Sequence, residues 1–167
     1  MSKNYLLLTI FSSFLVSCGG YPRLLNSSFD TGGRSLNSPA AELEPEISAN
    51  HIVFVSDRGG SQDVYLYDIA QKKLVNLPGL NSLDAIASHP SISEDGRYIV
   101  FTASRQGRRG VYLYDRETTQ SRNLTNNLAA EVRNPSISAD GSTIAFEANT
   151  DGQWDILVYE SSGKRLE

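Results

Sequence analysis

Apolar and polar residues alternate along much of this chain with a period of two. That spacing sends successive side chains to opposite faces of a β-strand. DVYLYD from Asp63, GVYLYD from Gly110 and DILVYE from Asp155 show it most clearly. Each follows a more continuous apolar run: HIVFVS from His51, YIVFTAS from Tyr98 and TIAFEAN from Thr143. Val, Ile, Phe and Tyr dominate these runs, and such side chains suit a pleated, half-buried surface. Polar, glycine-bearing loops separate the two runs of each pair: DRGGSQ, RQGRR and TDGQW. A short basic-polar strand closes each unit: KLVNL from Lys73, SRNLT from Ser121 and a curtailed KRL from Lys164. A helical period of 3.6 is not sustained beyond residue 17.

The units repeat. His89–Phe101 reads HPSISEDGRYIVF and Asn134–Phe146 reads NPSISADGSTIAF. Pro45, Pro90 and Pro135 recur every 45 residues, and each leads to an Ile-Ser pair: Ile47-Ser48, Ile92-Ser93 and Ile137-Ser138. A turn follows, Glu94-Asp95-Gly96 in the second copy and Ala139-Asp140-Gly141 in the third; the first copy has only Ala49-Asn50. Asp-Gly between apolar runs signals a tight reversal, because Gly accepts the positive φ that such turns need. Four short strands per unit and a period near 45 are the mark of a β-propeller blade. One small sheet cannot bury both its faces, whereas stacked copies bury one another. The chain therefore reads as all-β, with three four-stranded propeller-type blades at about 34–89, 90–134 and 135–167. Propellers close with at least about four blades. The expectation is a partial propeller, or half of a dimeric six-blade ring.

The first 33 residues follow another pattern. Lys3 precedes an apolar run, Tyr5–Val16, too short for a spanning helix of about 20 residues and suited to a signal peptide. Leu15-Val16-Ser17-Cys18-Gly19 then resembles the lipobox of bacterial lipoproteins. The resemblance implies a signal peptide over 1–17, cleavage before Cys18 and a lipid anchor on that residue. The alternative is an ordinary signal peptide with an incidental cysteine. Acyl chains contribute about 0.8 kcal/mol per buried methylene, so several together anchor stably. By analogy with Gram-negative lipoproteins, Gly19 after the cysteine favours the outer membrane, on the periplasmic side. Residues 18–33 read as the lipidated cysteine and a Gly/Ser-rich tether, although Leu24, Leu25 and Phe29 also suit a packed extension. Cys18 is the only cysteine, which excludes an intrachain disulfide. The net charge of −4 argues against binding nucleic acid through phosphate neutralisation.

The pattern P-S-I-S-x-D-G-x-x-I-x-F, then D/G-V-Y-L-Y-D, then N-L-T resembles the propeller repeat of TolB, the periplasmic partner of the Tol–Pal envelope system. The same repeat occurs in relatives of prolyl oligopeptidase. The resemblance covers about residues 34–167 and implies a non-catalytic, envelope-anchored scaffold that binds other proteins, Tol–Pal-like components among them. Two alternatives stand beside it: a module associated with a periplasmic peptidase or hydrolase, and a truncated copy of a longer propeller protein. TolB propellers have six blades and an N-terminal α/β domain; this chain reads as three repeats, and no such domain is expected in it. Arg34-Ser35-Leu36-Asn37 resembles Arg122-Asn123-Leu124-Thr125, so an outer-strand segment precedes the first full repeat. Arg34 and Leu36 are thus candidates for an edge strand that completes the Trp154–Tyr159 blade of a second chain, giving a head-to-tail homodimer. The rival is an open three-blade array whose edges a different protein covers.

No nucleophile constellation or G-x-S-x-G elbow is present. His51 and His89 have no cysteine partners and no zinc spacing. Asn149–Asp155 gathers oxygen ligands but lacks the terminal Glu of a twelve-residue calcium loop. No catalytic residue, metal or cofactor is expected. The repeated Tyr65, Tyr67, Tyr112, Tyr114 and Tyr159 read as packing residues, and Asp68, Asp115 and Glu160 as turn starters. Arg105, Arg108 and Arg109 form the one basic cluster, on a loop that differs between repeats. Trp154 occupies the matching loop of the third repeat. These four are the candidate partner-binding residues, with a solvated turn as the alternative for Arg108 and Arg109.

Overall fold

The computed structural model describes residues 34–167; the expected signal peptide, Cys18 and the expected tether lie outside the described residues. The described residues form three antiparallel sheets. The first holds β1 (Glu42–Ser48), β2 (His51–Ser56), β3 (Asp63–Asp68) and β4 (Lys73–Val75). The second holds β5 (Ala85–Ile92), β6 (Tyr98–Arg105), β7 (Arg108–Asp115) and β8 (Gln120–Asn123). The third holds β9 (Glu131–Ile137), β10 (Thr143–Thr150) and β11 (Gln153–Glu160). Each sheet is a meander, with strand order following chain order.

The expected closing strands are shorter than the sequence pattern suggests. KLVNL contributes three residues and SRNLT ends its strand at Asn123. KRL makes a single bridge, Tyr159 to Arg165, and the Leu166 N–H donates to the Val158 carbonyl beside it. β8 and the KRL segment are basic and polar, so little apolar area holds them to the sheet, whereas Val75 of β4 packs against the core between the first two blades. RQGRR, expected as a loop, is drawn into the ladder instead. Arg105 pairs with Arg108, leaving Gln106-Gly107 as a two-residue turn with φ of 51° and 78°. Positive φ at both residues matches the twist of the flanking strands. Asp151-Gly152 does the same between Thr150 and Gln153.

Alternation along each strand decides which side chains meet which blade. Ile99, Phe101 and Ala103 of β6 face the first blade, where they pack with Val53, Val64 and Leu66. Val100, Val111 and Leu113 face the third, where they meet Ile144, Phe146 and Ala148. Each blade thus has a leading face, carrying its Phe, and a trailing face. Blade two is packed on both. The first strands touch in order, β1 on β5 and β5 on β9, which sets them at the hub.

The repeated prolines lie inside these hub strands. The residue before each one, Glu44, His89 or Asn134, has a left-handed φ of 49° to 51°. The register slips there, between Leu43 and Glu46, between Ser88 and Ser91, and opposite Asn134. A bulge tolerates a proline because no ladder hydrogen bond needs its missing N–H.

Candidate interaction surface

Arg105 ends β6 beside the two-residue turn, with its side chain half-exposed. Its guanidinium sits over the Tyr112 ring, 5.4 Å from the centroid, and Tyr112 stacks on Phe101. Asp84 lies 3.9 Å away. Arg58 holds the equivalent place in blade one, over the stacked Phe54 and Tyr65. It donates to the Ser35 and Leu36 carbonyls at 2.9 and 2.7 Å and pairs with Glu42 at 2.7 Å. Burial opposes the charge on Glu42, but hydrogen bonds from Ser38 and Arg58 overcome it and hold its pKa below the usual range. The sequence held a signal for Arg58: VFVSDR and VFTASR align position for position.

Arg108 and Arg109, in contrast, are exposed at the start of β7. They line a cleft of about 420 Å³ with Leu128, Ala129 and Glu131. A smaller one of about 130 Å³ lies towards Asn123 and Thr125. Trp154 pairs with Asn149 across the β10–β11 hairpin. Its ring is covered by the Arg133 guanidinium at 3.8 Å, and Arg133 is ion-paired to Glu147 at 2.5 Å. Trp154 shares its strand face with Ile156 and Val158. Arg105 lines the smaller cleft together with Arg108 and Arg109, its guanidinium over Tyr112, while Trp154 lies apart on the trailing face of blade three.

Arg34 and Leu36, candidates for an edge strand in a second chain, are engaged within their own. The Arg34 carbonyl accepts from the Leu74 N–H, and Leu36 is held by Arg58. The place beside β11 is taken by Arg165 and Leu166.

A polar seam crosses the hub. The Glu44 carboxylate accepts the His89 N–H at 2.5 Å and lies 3.4 Å from the His89 ring. Glu46 accepts from the Ser91 hydroxyl and the Ile92 N–H, and the Ser91 hydroxyl accepts in turn from the Ile137 N–H at 3.2 Å. His51 packs against Gly96 between the first two blades, and its buried Nδ1 has no hydrogen-bond partner. Burial and the nearby Arg116 cation push its pKa below the usual histidine value, against a smaller pull from Asp68 and Asp95. Among the described residues no hydroxyl is hydrogen-bonded to a histidine, and no three His, Cys, Asp or Glu side chains could hold a metal ion. No helix among them is long and apolar enough to cross a membrane.

Residues 30–167 match the family model of the TolB beta propeller domain. The chain belongs to this family. A solved TolB from Acinetobacter baumannii superposes with a TM-score of 0.61 at 27% identity, over 78% of this chain and 32% of that one. The propeller domain of the Trilobed protease from Pyrococcus furiosus, described as having an open velcro topology, gives 0.58 at 14% identity, over 77% and 42%. A puromycin-hydrolyzing peptidase from Mycobacterium tuberculosis gives 0.58 at 14%, over 78% and 20%. The last two likenesses speak for fold alone. None of the curated proteins matches the chain. This TolB-type chain spans about a third of the A. baumannii protein. Its described part is an open, partial propeller of the kind that the repeat pattern predicted.

Proposed function

We propose that this chain is a protein-binding scaffold of the bacterial cell envelope, anchored through a lipid on Cys18 and facing the periplasm, with the outer membrane favoured. The observation that carries the reading is a constant blade framework whose turn face changes from blade to blade. A six-residue loop, Asp57–Gln62, stands there in blade one, Gln106-Gly107 flanked by exposed Arg108 and Arg109 in blade two, and Asp151-Gly152 in blade three. Variable turns on a rigid support are how binding surfaces are built. Membership of the TolB propeller family supports proteins as the partner class, Tol–Pal-like components first among them. A non-catalytic module beside a periplasmic hydrolase is the second reading, favoured only by the shared fold of the peptidase propellers.

Photo-crosslinking of the full chain in intact cells, with the Arg108→Glu, Arg109→Glu double variant as comparison, tests the turn face. Both residues are exposed, so the fold should persist. Loss of the cross-linked proteins in the variant is expected. Unchanged capture would remove the turn face from the reading, and a hydrolase among the products would favour the second one. Cys18→Ser should abolish lipid labelling and release the chain from the membrane fraction.

A further inference from the structure

Among the described residues the two outward faces of the blade stack are unpartnered, and the repeat shows what belongs on each. On the trailing face, Val64 and Val111 are 1% and 0% exposed, each covered by the next blade. Their equivalent in blade three, Ile156, is 62% exposed. On the leading face, Ile92 and Ile137 are 3% and 9% exposed, each packed against the preceding blade. Their equivalent in blade one, Ile47, is 67% exposed. Hydrogen bonding follows the same rule. The hub side chain of one blade accepts the N–H of that isoleucine in the next, Glu46 from Ile92 and Ser91 from Ile137, both at 3.2 Å. The next member of the series, Ser136, is exposed, and so is Ile47.

We propose that the trailing face of blade three receives the leading face of blade one from a second copy of this chain. This is the interface that the chain already makes twice within itself, so its complementarity need not be invented. Both faces have the layout of a protein interface, an apolar centre with a polar margin. Ile156 and Val158 form the centre on one, margined by Trp154 under Arg133 and by Glu147. Ile47 and Ile52 form it on the other, margined by the Arg58–Glu42 pair. The contact is head-to-tail, and such contacts close when the rotation allows. Two copies supply six blades, within the range in which propellers close, and the hub seam becomes continuous. The contact is one of faces, so Arg34, Leu36 and the Arg165 bridge stay where they are. It stands independently of the scaffold reading, since neither Cys18 nor the turn face takes part.

The test is disulfide cross-linking of the full-length chain carrying Cys18→Ser, with Ile47→Cys and Ile156→Cys made singly and together. A mixture of the two single variants should give a covalent species of twice the chain mass, and neither single variant alone should. The double variant should do the same without mixing. Ile47→Glu and Ile156→Glu, at exposed positions that keep the fold by circular dichroism, should each weaken self-association at least tenfold by light scattering. A folded chain of 18.3 kDa at about 100 micromolar would overturn the proposal. So would self-linking of either single variant, which would mean like faces meet. In the Ile47→Cys variant, protection of the new thiol from a reagent in the monomer, or its cross-linking to another protein, would give the face a different occupant and overturn it as well.

Discussion

Two glycines show how a single position carries the contact between blades. Gly96 and Gly141 both stand at φ +71°, and each abuts the preceding blade. A Cβ on Gly141 would lie 2.6 Å from Tyr98 Cδ2, and one on Gly96 2.7 Å from His51 Cε1. Gly107 has φ +78° with nothing within 4 Å. Gly107→Ala should therefore cost only the left-handed backbone, about 1 kcal/mol. Gly141→Ala adds displacement of a packed ring and should cost roughly 2–4 kcal/mol. Urea midpoints measure both, and equal shifts would show the Tyr98 contact to be inconsequential. At the same turn Asp140 accepts from the Ser138 hydroxyl and from the Ser142 N–H and hydroxyl, which hold its pKa down to about 2. A depressed carboxylate contributes stability that is full above its unfolded pKa of 3.8 and lost as pH falls towards 2. Thermal midpoints should therefore drop more steeply between pH 4 and about 2 for the native chain than for Asp140→Asn. The Asp-Gly turn is legible from two adjacent residues. The neighbour that forbids a side chain at Gly141 is not, because Tyr98 lies a blade away.

At the scale of elements, the pattern reads hairpins well and edges less well. The apolar runs from His51, Tyr98 and Thr143 form β2, β6 and β10; β6 is buried on both faces, whereas β10 buries Ile144, Phe146 and Ala148 towards blade two. RQGRR resembles a loop because its polar residues conceal a turn of only two residues. Arg58 does not stand out, since only its alignment with Arg105 marks it; its role comes from tying the segment Ser35–Leu36 and Glu42 over an aromatic pair. Its side chain is 8% exposed and Glu42 18%, so removing it leaves a largely buried carboxylate unpaired. Arg58→Ala should cost about 2–4 kcal/mol by denaturant unfolding. Arg58→Lys should recover little of it, since an ammonium cannot serve two carbonyls, a carboxylate and two rings together. Full recovery by lysine would mean that charge alone matters there.

At the scale of the molecule, stability runs through blade two. It contributes to both cores, whereas the outer blades contribute to one each. In a linear array, stability sums over such neighbour contacts. Amide hydrogen exchange should therefore be slowest in β6 and β7 and faster in β4 and β11. Uniform protection across the blades would mean that a further contact, such as the second copy, covers the outer faces.

The blades themselves follow from the order of residues. A period of two within strands, Asp-Gly reversals and a 45-residue repeat are local signals, and each acts through the backbone and burial of its own segment. The same order of residues also marks Arg105 and Trp154 as unusual. Which way they face is left to the stacking, for alternation tells that two sides exist and not which neighbour fills them. Only when the sheets are folded and laid side by side does Arg105 come to lie over Tyr112, Trp154 border an uncovered face, and Ile47 and Ile156 differ from their buried counterparts. That difference depends on what lies beyond each sheet, and contacts between distant segments carry it.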